Sequence, residues 1–358
     1  METTSTVAIV KGSDRYQNIF RALSFLSDEL SFGNNILIKP NFVSTKVQLA
    51  ATHVDALRAV IDFIRERTDK KIIIAEGAAT SDTFEGYRHF GFLKLSKRYS
   101  NIEFKDLNKD EFKVIALYDR NLNPQPFRIS KTVLSSNCRI SLTIPKTHDT
   151  TIATLSLKNM AIGSLIRDTG GSPLRFIGPL TDRVPKMVPA RLKPFFSLQG
   201  LSSFGLSRLG GSDKARMHQG YLNINLFLYQ LGKIIPPHLS ILDGFEAMEG
   251  DGPVHGDKVD WGIAIAGADF VATDSVAATL MGFSPEDIGH IYFCKMDGMG
   301  EGDMKKVKIL GSPLSEYIRP FKPHQSYAKQ LGWKKDGGAA FKKLKKFLSN
   351  FKSPSVFR

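Results

Sequence analysis

Three residues near the middle of the chain, Lys146, His148 and Lys158, are of types that carry out acid–base chemistry or bind anions. Lysine supplies a compact positive charge whose pKa falls when water is removed, and histidine exchanges a proton near neutral pH or binds a metal. Lys158 lies in an apolar run, residues 153–161, where a charged side chain is costly unless it is paired, used, or extended to solvent along its stem. We predict that His148 is an acid–base group and that Lys158 and Lys146 contact an anion or act as electrophiles.

Polar residues also stand at the ends of other predicted strands. Lys39 and Asn41 follow the second strand, Glu76 ends the third, and Asp243 ends a later one. The carboxyl ends of parallel strands meet at one rim of a sheet, where open α/β proteins bind their ligands. We therefore predict that these four residues, with Asn159 beside Lys158, bind an anionic small molecule. The alternative is that each is an ordinary turn residue.

The run of residues 243–253 is rich in glycine and contains four acids within nine residues. The acids are Asp243, Glu246, Glu249 and Asp251. Such a loop could hold a divalent cation through oxygen ligands or supply a second acid–base group, for which Glu249 is the candidate. An acidic turn without a ligand is the alternative. His218 and His148 are the candidate metal ligands. The cofactor is unknown, and a divalent metal is one candidate.

Several kinds of site are excluded or disfavoured. The chain has only two cysteines, Cys138 and Cys294, which is too few for a disulfide framework, a cysteine-ligated iron–sulfur cluster or a cysteine-rich zinc site. There is no G-x-x-x-x-G-K-[ST] loop and no well-placed G-x-G-x-x-G, so nucleotide binding is weakly supported. The start of the chain does not resemble a secretory signal, and no apolar run approaches a membrane span. We predict a cytoplasmic protein.

The net charge of +14 is concentrated in two segments. Residues 164–217 contain nine Lys and Arg against three acids, and residues 331–358 contain eight against one. In the second segment, Phe341, Leu344, Phe347 and Phe351 share one helical face after Gly337-Gly338, and lysines occupy the others. This basic amphipathic helix would lie on an anionic membrane or dock on the body of the protein. Nucleic acid is a less favoured partner because no recognised motif accompanies the charge, and simple solubilising charge is a further alternative.

Alternating strand and helix patterns predict an α/β fold with a mostly parallel or mixed sheet flanked by helices, a second smaller α/β lobe and a cleft between them. The predicted strands are 6–11, 35–38, 71–75, 102–107, 140–144, 239–243, 261–266 and 307–310, and the predicted helices are 16–30, 52–64, 84–98, 222–235 and 274–281, with an antiparallel pair within 110–136. The predicted domains are an N-terminal lobe at 1–163, a basic Gly/Pro-rich insert or lid at 164–217, a C-terminal part at 218–330 and a basic tail at 331–358. The oligomeric state is not indicated.

Five ordered motifs resemble the domain-of-unknown-function 362 family (DUF362). They are Lys39-Pro40-Asn41, the runs 144–148, 155–159 and 243–253, and the segment from Asp269 to Gly282. Many members of that family have a ferredoxin-like cysteine-rich segment, which this chain lacks, so the resemblance implies no redox role for a cluster of its own. The family usually has a glycine soon after its Leu-Lys-Asn run; here Gly163 comes slightly later and the basic insert follows.

A more distant similarity is to the nickel-dependent lactate racemase, in which a histidine, a lysine ten residues on and a downstream histidine stand in the same order as His148, Lys158 and His218. In the racemase the lysine carries a nickel-pincer cofactor and the last histidine ligates nickel. Its Gly-Gly-x-Lys context is absent here, and Glu76-Gly77 stands where it has a further histidine, so the cofactor is not carried over. The similarity implies a cleft enzyme, or binding protein, for a small carboxylate-type anion. The alternative function is a non-catalytic protein that binds anionic membrane or nucleic acid through the insert and tail.

Overall fold

A computed structural model of the chain describes residues 5–167, 212–311 and 313–350. Most of the predicted basic insert and the last residues of the tail, including Phe351, lie outside the described residues. The prediction of a lid therefore stays a prediction.

The strands and helices alternate along most of the chain. The strands are β1 (Thr6–Lys11), β2 (Ile36–Lys39), β3 (Ile72–Glu76), β4 (Ile102–Asp106), β5 (Phe112–Tyr118), β6 (Pro124–Ser130), β7 (Cys138–Thr143), β8 (Lys146–His148), β9 (Ile152–Thr154), β10 (Leu239–Glu249), β11 (Asp257–Gly267) and β12 (Lys308–Gly311). The helices are α1 (Arg15–Phe25), α2 (Val54–Arg65), α3 (Thr83–His89), α4 (Lys131–Ser135), α5 (Ser156–Gly163), α6 (Asp213–Arg216), α7 (Tyr221–Ile234), α8 (Phe270–Leu280), α9 (Gly289–Met296), α10 (Tyr327–Gln330) and α11 (Lys334–Ser349).

One mixed sheet of ten strands organises the molecule, which confirms the predicted α/β fold. Its order is β12-β1-β11-β10-β7-β2-β3-β4, and the short β8 and β9 extend it next to β10. The neighbours β10, β7, β2, β3 and β4 are parallel, so their carboxyl ends share one rim, whereas β11 runs antiparallel to both β1 and β10. The strands β5 and β6 form the predicted antiparallel pair. Strands from both predicted lobes build the one large sheet, and the domain boundaries stay predictions.

Alternation along the strands divides the core between the two faces of the sheet. On β2, Ile36 and Ile38 join one apolar cluster with α1, α2 and α3, and Leu37 joins the other with α5, α7, α8 and α9. Because successive side chains of a strand point to opposite faces, a strand covered on both faces is a continuous apolar run. Burial of each large aliphatic side chain stabilises the fold by about 1.5–3 kcal/mol. Both faces of the sheet are therefore covered at the point where β2 and β7 end.

The structure corrects several predicted boundaries. Strand β10 continues through Glu249, so the acidic run 243–253, which was predicted to be a loop, is strand as far as Glu249; a register shift between Gly244 and Glu246 lets the strand stay paired with β11. Helix α1 ends at Phe25 and α3 at His89, where the chain turns through Gly91 at a φ of +79°. Both helices are shorter than predicted.

The helix that was predicted to begin at Thr52 begins at Val54, as α2. His53 is the N-cap, and its Nδ1 accepts a hydrogen bond from the backbone N–H of Asp55. The hydroxyl of Thr52 instead donates to the carbonyl of Leu142 at 3.0 Å and accepts from the N–H of Asn41 at 2.8 Å. Thr52 therefore joins the ends of β2 and β7 and does not cap the helix.

The amphipathic helix predicted in the tail is present as α11, and its apolar face docks on the body of the protein. Phe341 stacks on Phe293 with ring centroids 5.0 Å apart, and Leu344 is fully buried. The helix begins at Lys334, before the glycine pair at which it was predicted to begin. Gly337 lies within the helix against the Trp333 ring, where a Cβ would be 2.5 Å from a ring carbon. In the described ranges, no helix is long and apolar enough to cross a membrane.

Candidate functional site

The first part of the site is a buried ion pair at the ends of neighbouring strands. Lys39 ends β2 and Glu76 ends β3, and the ammonium donates to the Glu76 carboxylate. Their side chains are 0% and 2% exposed. Burial lowers the pKa of Lys39, and the Glu76 charge opposes that shift. Each charge is therefore held in the core chiefly by the other.

Asn159, on α5, joins this ion pair to the neighbouring strands. Its Oδ1 accepts from Lys39 at 3.0 Å and from Asn41 at 3.1 Å. Its Nδ2 donates to the backbone carbonyl of Lys39 at 3.2 Å and to the hydroxyl of Ser141 at 3.0 Å. All polar atoms of this amide are used, which fixes α5 against the ends of β2 and β7.

Lys146 lies next to this network and is fully buried. Its ammonium donates to Asn41 Oδ1 at 2.5 Å and to the carbonyl of Ala50 at 3.4 Å. Burial lowers the pKa of Lys146 to about 7, and the neighbouring charge of Lys158 contributes to this shift. The side chain therefore lacks a carboxylate partner of its own among these contacts.

The predicted pair of Lys158 and His148 is in direct contact. Lys158 Nζ lies 2.9 Å from His148 Nε2, and both side chains are buried. Burial lowers the pKa of Lys158 to about 8, opposed by the charge of Asp149, and burial with the Lys158 charge lowers the pKa of His148 to about 3. The imidazole is therefore neutral and the amine titrates near physiological pH.

The contacts of Nδ1, the second ring nitrogen of His148, determine which nitrogen of the ring carries the hydrogen. Nδ1 lies 2.8 Å from Asp149 Oδ1, and the N–H of Thr150 lies 3.1 Å from the same nitrogen. The hydrogen bond from His148 lowers the pKa of Asp149, and we assign the ring hydrogen to Nδ1 because the contact with the carboxylate is the shorter one. The Nε2 lone pair then faces Lys158 Nζ and accepts a hydrogen bond from its ammonium form.

His218 completes the predicted group of three. Its ring stacks on that of His148 with centroids 6.2 Å apart and planes 18° apart. Its Nδ1 lies 3.0 Å from the carbonyl of Lys214, which leaves Nε2 as an acceptor. His218 keeps an exposed surface, and the partial loss of water around its ring lowers its pKa, with the charge of Lys158 adding to that shift.

A metal bound by the two histidines would have to displace a contact, because both nitrogens of His148 already face Lys158 and Asp149. No group of three or more His, Cys, Asp and Glu that could hold a metal ion occurs among the residues for which positions are described. The metal site stays a prediction, and we assign no step to a metal.

The two predicted carboxylates of β10 have other partners. Asp243 has the same parity on β10 as Ile241, so it faces α1, where it pairs with Arg15 at 3.0 Å. Burial raises the pKa of Asp243 to about 6, and Arg15 opposes the shift. Glu249 Oε2 accepts from the backbone N–H of Lys322 at 3.1 Å. The structure thus brings Lys39, Asn41, Glu76, Lys146, His148, Lys158, Asn159 and His218 together, and it does not bring Asp243 and Glu249 to Lys158 or His148.

Sequence reasoning missed Lys214, which comes from the end of the basic insert. Its buried ammonium donates to the carbonyl oxygens of Ile162, Gly163 and Leu165 at 3.2, 3.1 and 2.6 Å. A Cβ on Gly163 would lie 2.1 Å from Lys39 Nζ, so glycine is needed where α5 passes the ion pair. No local pattern marks Lys214, whereas Asp149 was recognisable from its place directly after His148.

The start of α5 is fixed by Asp274, a residue of the last family motif. Its carboxylate accepts the backbone N–H groups of Ser156 at 2.8 Å and Leu157 at 3.0 Å. These are first-turn donors that have no partner within their own helix. Because Leu155, the N-cap residue, provides no side-chain cap, Asp274 on α8 supplies the cap from another part of the chain. Asp274 therefore sets the position of Lys158 two residues into the helix.

The hairpin that carries His148 is held by Gln330 of α10. Gln330 Nε2 donates to the carbonyl of His148 at 2.8 Å, and its Oε1 accepts from the N–H of Ile152 at 2.5 Å. Ile152 has a φ of +64°, a conformation that is strained for a β-branched residue. The contacts of Gln330 hold this strained turn and with it the orientation of His148.

We expect Gln330→Ala to lower the free energy of unfolding by about 1–3 kcal/mol, because two buried backbone groups lose their partners. Urea denaturation measures this loss. The control is Gln219→Ala, which removes an exposed glutamine bonded only to a helix carbonyl, Arg216 O, and should change stability little. Equal effects of the two substitutions would contradict the role assigned to Gln330.

A search of characterised proteins found a thylakoid-associated protein of Synechocystis sp. that is 23% identical over 258 residues. The match covers 72% of this chain and 65% of that relative, so the chain spans less than two thirds of its length. Among solved structures, the lactate racemase apoprotein of Thermoanaerobacterium thermosaccharolyticum is 17% identical, with a TM-score of 0.34 over 45% of this chain and 39% of that one. A crystal structure of a Thermotoga maritima protein is 14% identical, with a TM-score of 0.42 over 76% of this chain and 60% of that one.

The family assignment depends on neither structural likeness. The sequence profile of a family described as a domain of unknown function (DUF362) matches residues 36–279, which is more than half of the chain, and the protein therefore belongs to that family, as its motifs predicted.

Proposed function

We propose that this protein is an enzyme that acts on a small anionic, carboxylate-type metabolite and that Lys158 is its reacting amine. The observation that carries the proposal is the buried contact of 2.9 Å between Lys158 Nζ and His148 Nε2, with Asp149 on the opposite nitrogen of the ring. A reacting amine, a neutral ring that holds it by a hydrogen bond and a carboxylate that orients the ring form an arrangement that positions a nucleophile. An ion pair that only stabilises the fold does not require a lysine, a histidine and a carboxylate in this order.

Burial makes Lys158 a neutral amine for part of the time at physiological pH. An Nδ1–H directed at Asp149 leaves the Nε2 lone pair of His148 free to accept a hydrogen bond from the Lys158 ammonium. A pKa of about 8 for Lys158 is close to the value at which an acid–base group is most efficient near neutral pH. The neutral amine can take a proton from a carbon acid or attack a carbonyl carbon. In the second case a C–N bond forms, and the carbonyl oxygen leaves as water with both amine hydrogens.

A small pocket lies beside Lys158, and we propose that the charged end of the metabolite enters it. The cavity is about 40 Å³ and opens to solvent at its mouth. Its polar lining residues are Asn41, Glu76, Thr154, Lys158, Asn159 and Lys214. Lysine, amide and hydroxyl groups donate hydrogen bonds to carboxylate oxygens. The composition of the lining therefore favours an anion over a neutral or cationic ligand.

We expect small carboxylates and oxo-carboxylates that bind the wild-type chain to raise its melting temperature, and we expect Lys158→Met and His148→Asn to abolish the effect. The physical reason is that the first substitution removes the cation that meets the ligand and the second removes the ring that holds this cation in place. A thermal-shift screen on all three proteins measures this, with circular dichroism to show that the variants are folded. Lys342→Met, at an exposed position of α11, is the matched control. Normal ligand binding by both site variants would place the site elsewhere.

A further inference from the structure

Positive charge is in excess around the pocket. Four lysines of the site, Lys39, Lys146, Lys158 and Lys214, have exposures of 6% or less, and Glu76 is the carboxylate buried among them. Asp149, the other acid in contact with the site, has a side chain that is 50% exposed. Removing an ion from water costs several kcal/mol unless a counter-charge replaces the lost hydration. The described residues of the site supply fewer negative charges than positive ones.

Two of the four lysines have used all their hydrogens. Lys39 donates to Glu76, Asn159 and the carbonyl of Pro40, and its charge is matched by the Glu76 carboxylate. Lys214 donates to three carbonyl oxygens at the carboxyl end of α5, where the helix dipole is negative. An ammonium group has three hydrogens to donate. These two lysines therefore hold the frame of the pocket and are not free to bind a ligand.

The other donors are not fully used. Among the described residues, Lys158 makes one hydrogen-bond contact, with His148, and Lys146 makes two, with Asn41 and Ala50. The Thr154 hydroxyl is buried at the pocket wall and has no hydrogen-bond partner within the described part of the chain. Buried polar groups almost always have partners, so unused donors mark where an acceptor belongs. Lys158 and Thr154 line the pocket directly, and Lys146 lies behind the lining, where it donates to the pocket residue Asn41.

We propose that the ligand of this pocket is a dianion, a carboxylate that bears a second negatively charged group. The inference rests on the proposed function, because it identifies the class of the metabolite that Lys158 acts on. Within the described part of the chain, Lys146 and Lys158 are the two site lysines with unused donors and without a buried carboxylate of their own. A ligand with two negative charges keeps both amines protonated, whereas with a monoanion one of them stays unpaired or loses its proton. The second group is a carboxylate or a phosphoryl group, which share this chemistry.

Calorimetric titration of the full chain tests the inference. Malonate and succinate are each compared with their mono-amides, which have nearly the same shape and one charge less, and inorganic phosphate is the third probe. At constant ionic strength we expect the dianions to bind about tenfold more tightly than the mono-amides or better. Lys146→Met should bring the ratio close to one, and Lys146→Arg, which keeps the charge, should retain the preference. The wild-type comparison stands on its own where the methionine variant does not fold.

The outcomes separate the two proposals. Tighter binding of a dicarboxylate supports a second carboxylate, and tighter binding of phosphate supports a phosphoryl group. Mono-amides that bind as tightly as the dianions, or dianions that do not bind at all, would overturn the inference. The proposed function is tested separately by Lys158→Met, since loss of ligand binding in that variant supports it whichever charge the ligand carries.

Discussion

Replacing Glu76 with glutamine should lower the free energy of unfolding by about 3–5 kcal/mol, because the substitution leaves a buried ammonium without its counter-charge. Lys39 is fully buried, and its other partners, Asn159 and the carbonyl of Pro40, are uncharged. The glutamine has nearly the size of the glutamate, so the loss reports the charge and not a cavity. Urea denaturation at pH 7 measures the effect.

A matched control and a double variant make this result specific. Glu103→Gln breaks an exposed ion pair, in which Lys71 Nζ lies 2.7 Å from Glu103 Oε2. This substitution should lower the free energy of unfolding by about 1 kcal/mol or less. Combining Glu76→Gln with Lys39→Met should recover much of the lost stability, because no unpaired charge is then buried. Similar losses for Glu76→Gln and Glu103→Gln would show that the Lys39–Glu76 pair is not a buried charge pair in solution.

Lys158 should become reactive at a much lower pH than ordinary lysines do. Its pKa of about 8 arises from burial, whereas unperturbed lysine titrates near 10.4. The rate of its modification by cyanate, followed by peptide mass spectrometry from pH 6 to 11, should therefore reach half of its plateau near pH 8. Normalising to the plateau removes the effect of limited access to the pocket.

The variant Asp149→Asn tests in which direction the charge of Asp149 shifts the pKa of Lys158. The charge of Asp149 favours the ammonium form of Lys158, so its removal should move the midpoint of the modification curve below that of the wild type, by up to about 1 pH unit. The substitution is at a half-exposed position, so the fold should be retained. An unchanged midpoint, or one that moves upward, would contradict the chain of contacts from Asp149 through His148 to Lys158.

The parts of the site that could be predicted from the sequence follow from local chemistry. The β-branched and aliphatic runs of β2 and β7 are bounded by Pro40 and Pro145, which cannot donate to a sheet ladder. Lys158 was recognisable because a lysine within an apolar run needs a partner, and His148 was recognisable from its place after a strand end. Both observations depend on residues that are near each other in sequence.

Asp243 lies at the strand end where it was predicted, but its side chain is on the other face of the sheet from α5. A shift of one position along a strand moves a side chain to the opposite side of the sheet. Asp243 follows Ile241 by two residues and therefore joins the face of α1 and Arg15, away from the face on which α5 packs. The position of a strand end alone does not show which face of the sheet its side chains are on. A longer strand than predicted likewise gave Glu249 a contact with Lys322 instead of a place in a loop.

The residues that could not be predicted make contacts across long stretches of chain. Gln330 reaches His148 over 182 positions, and Asp274 reaches Ser156 over 118. Neither residue belongs to a local pattern that indicates its partner, because the contact exists only after the sheet and its helices have assembled. The family motif contained Asp274, but its role as the cap of α5 required the fold.

The titration of the Lys158 side chain itself tests the central claim most directly. Carbon-13 spectra of the protein labelled at the lysine ε-carbon, recorded from pH 6 to 11, identify the Lys158 resonance as the one that is lost in Lys158→Met. We predict that this resonance titrates with a midpoint near pH 8, as expected of an amine that is activated by burial beside a neutral His148. A midpoint near 10.4, the value of an unperturbed lysine, would contradict the assignment of Lys158 as the reacting amine.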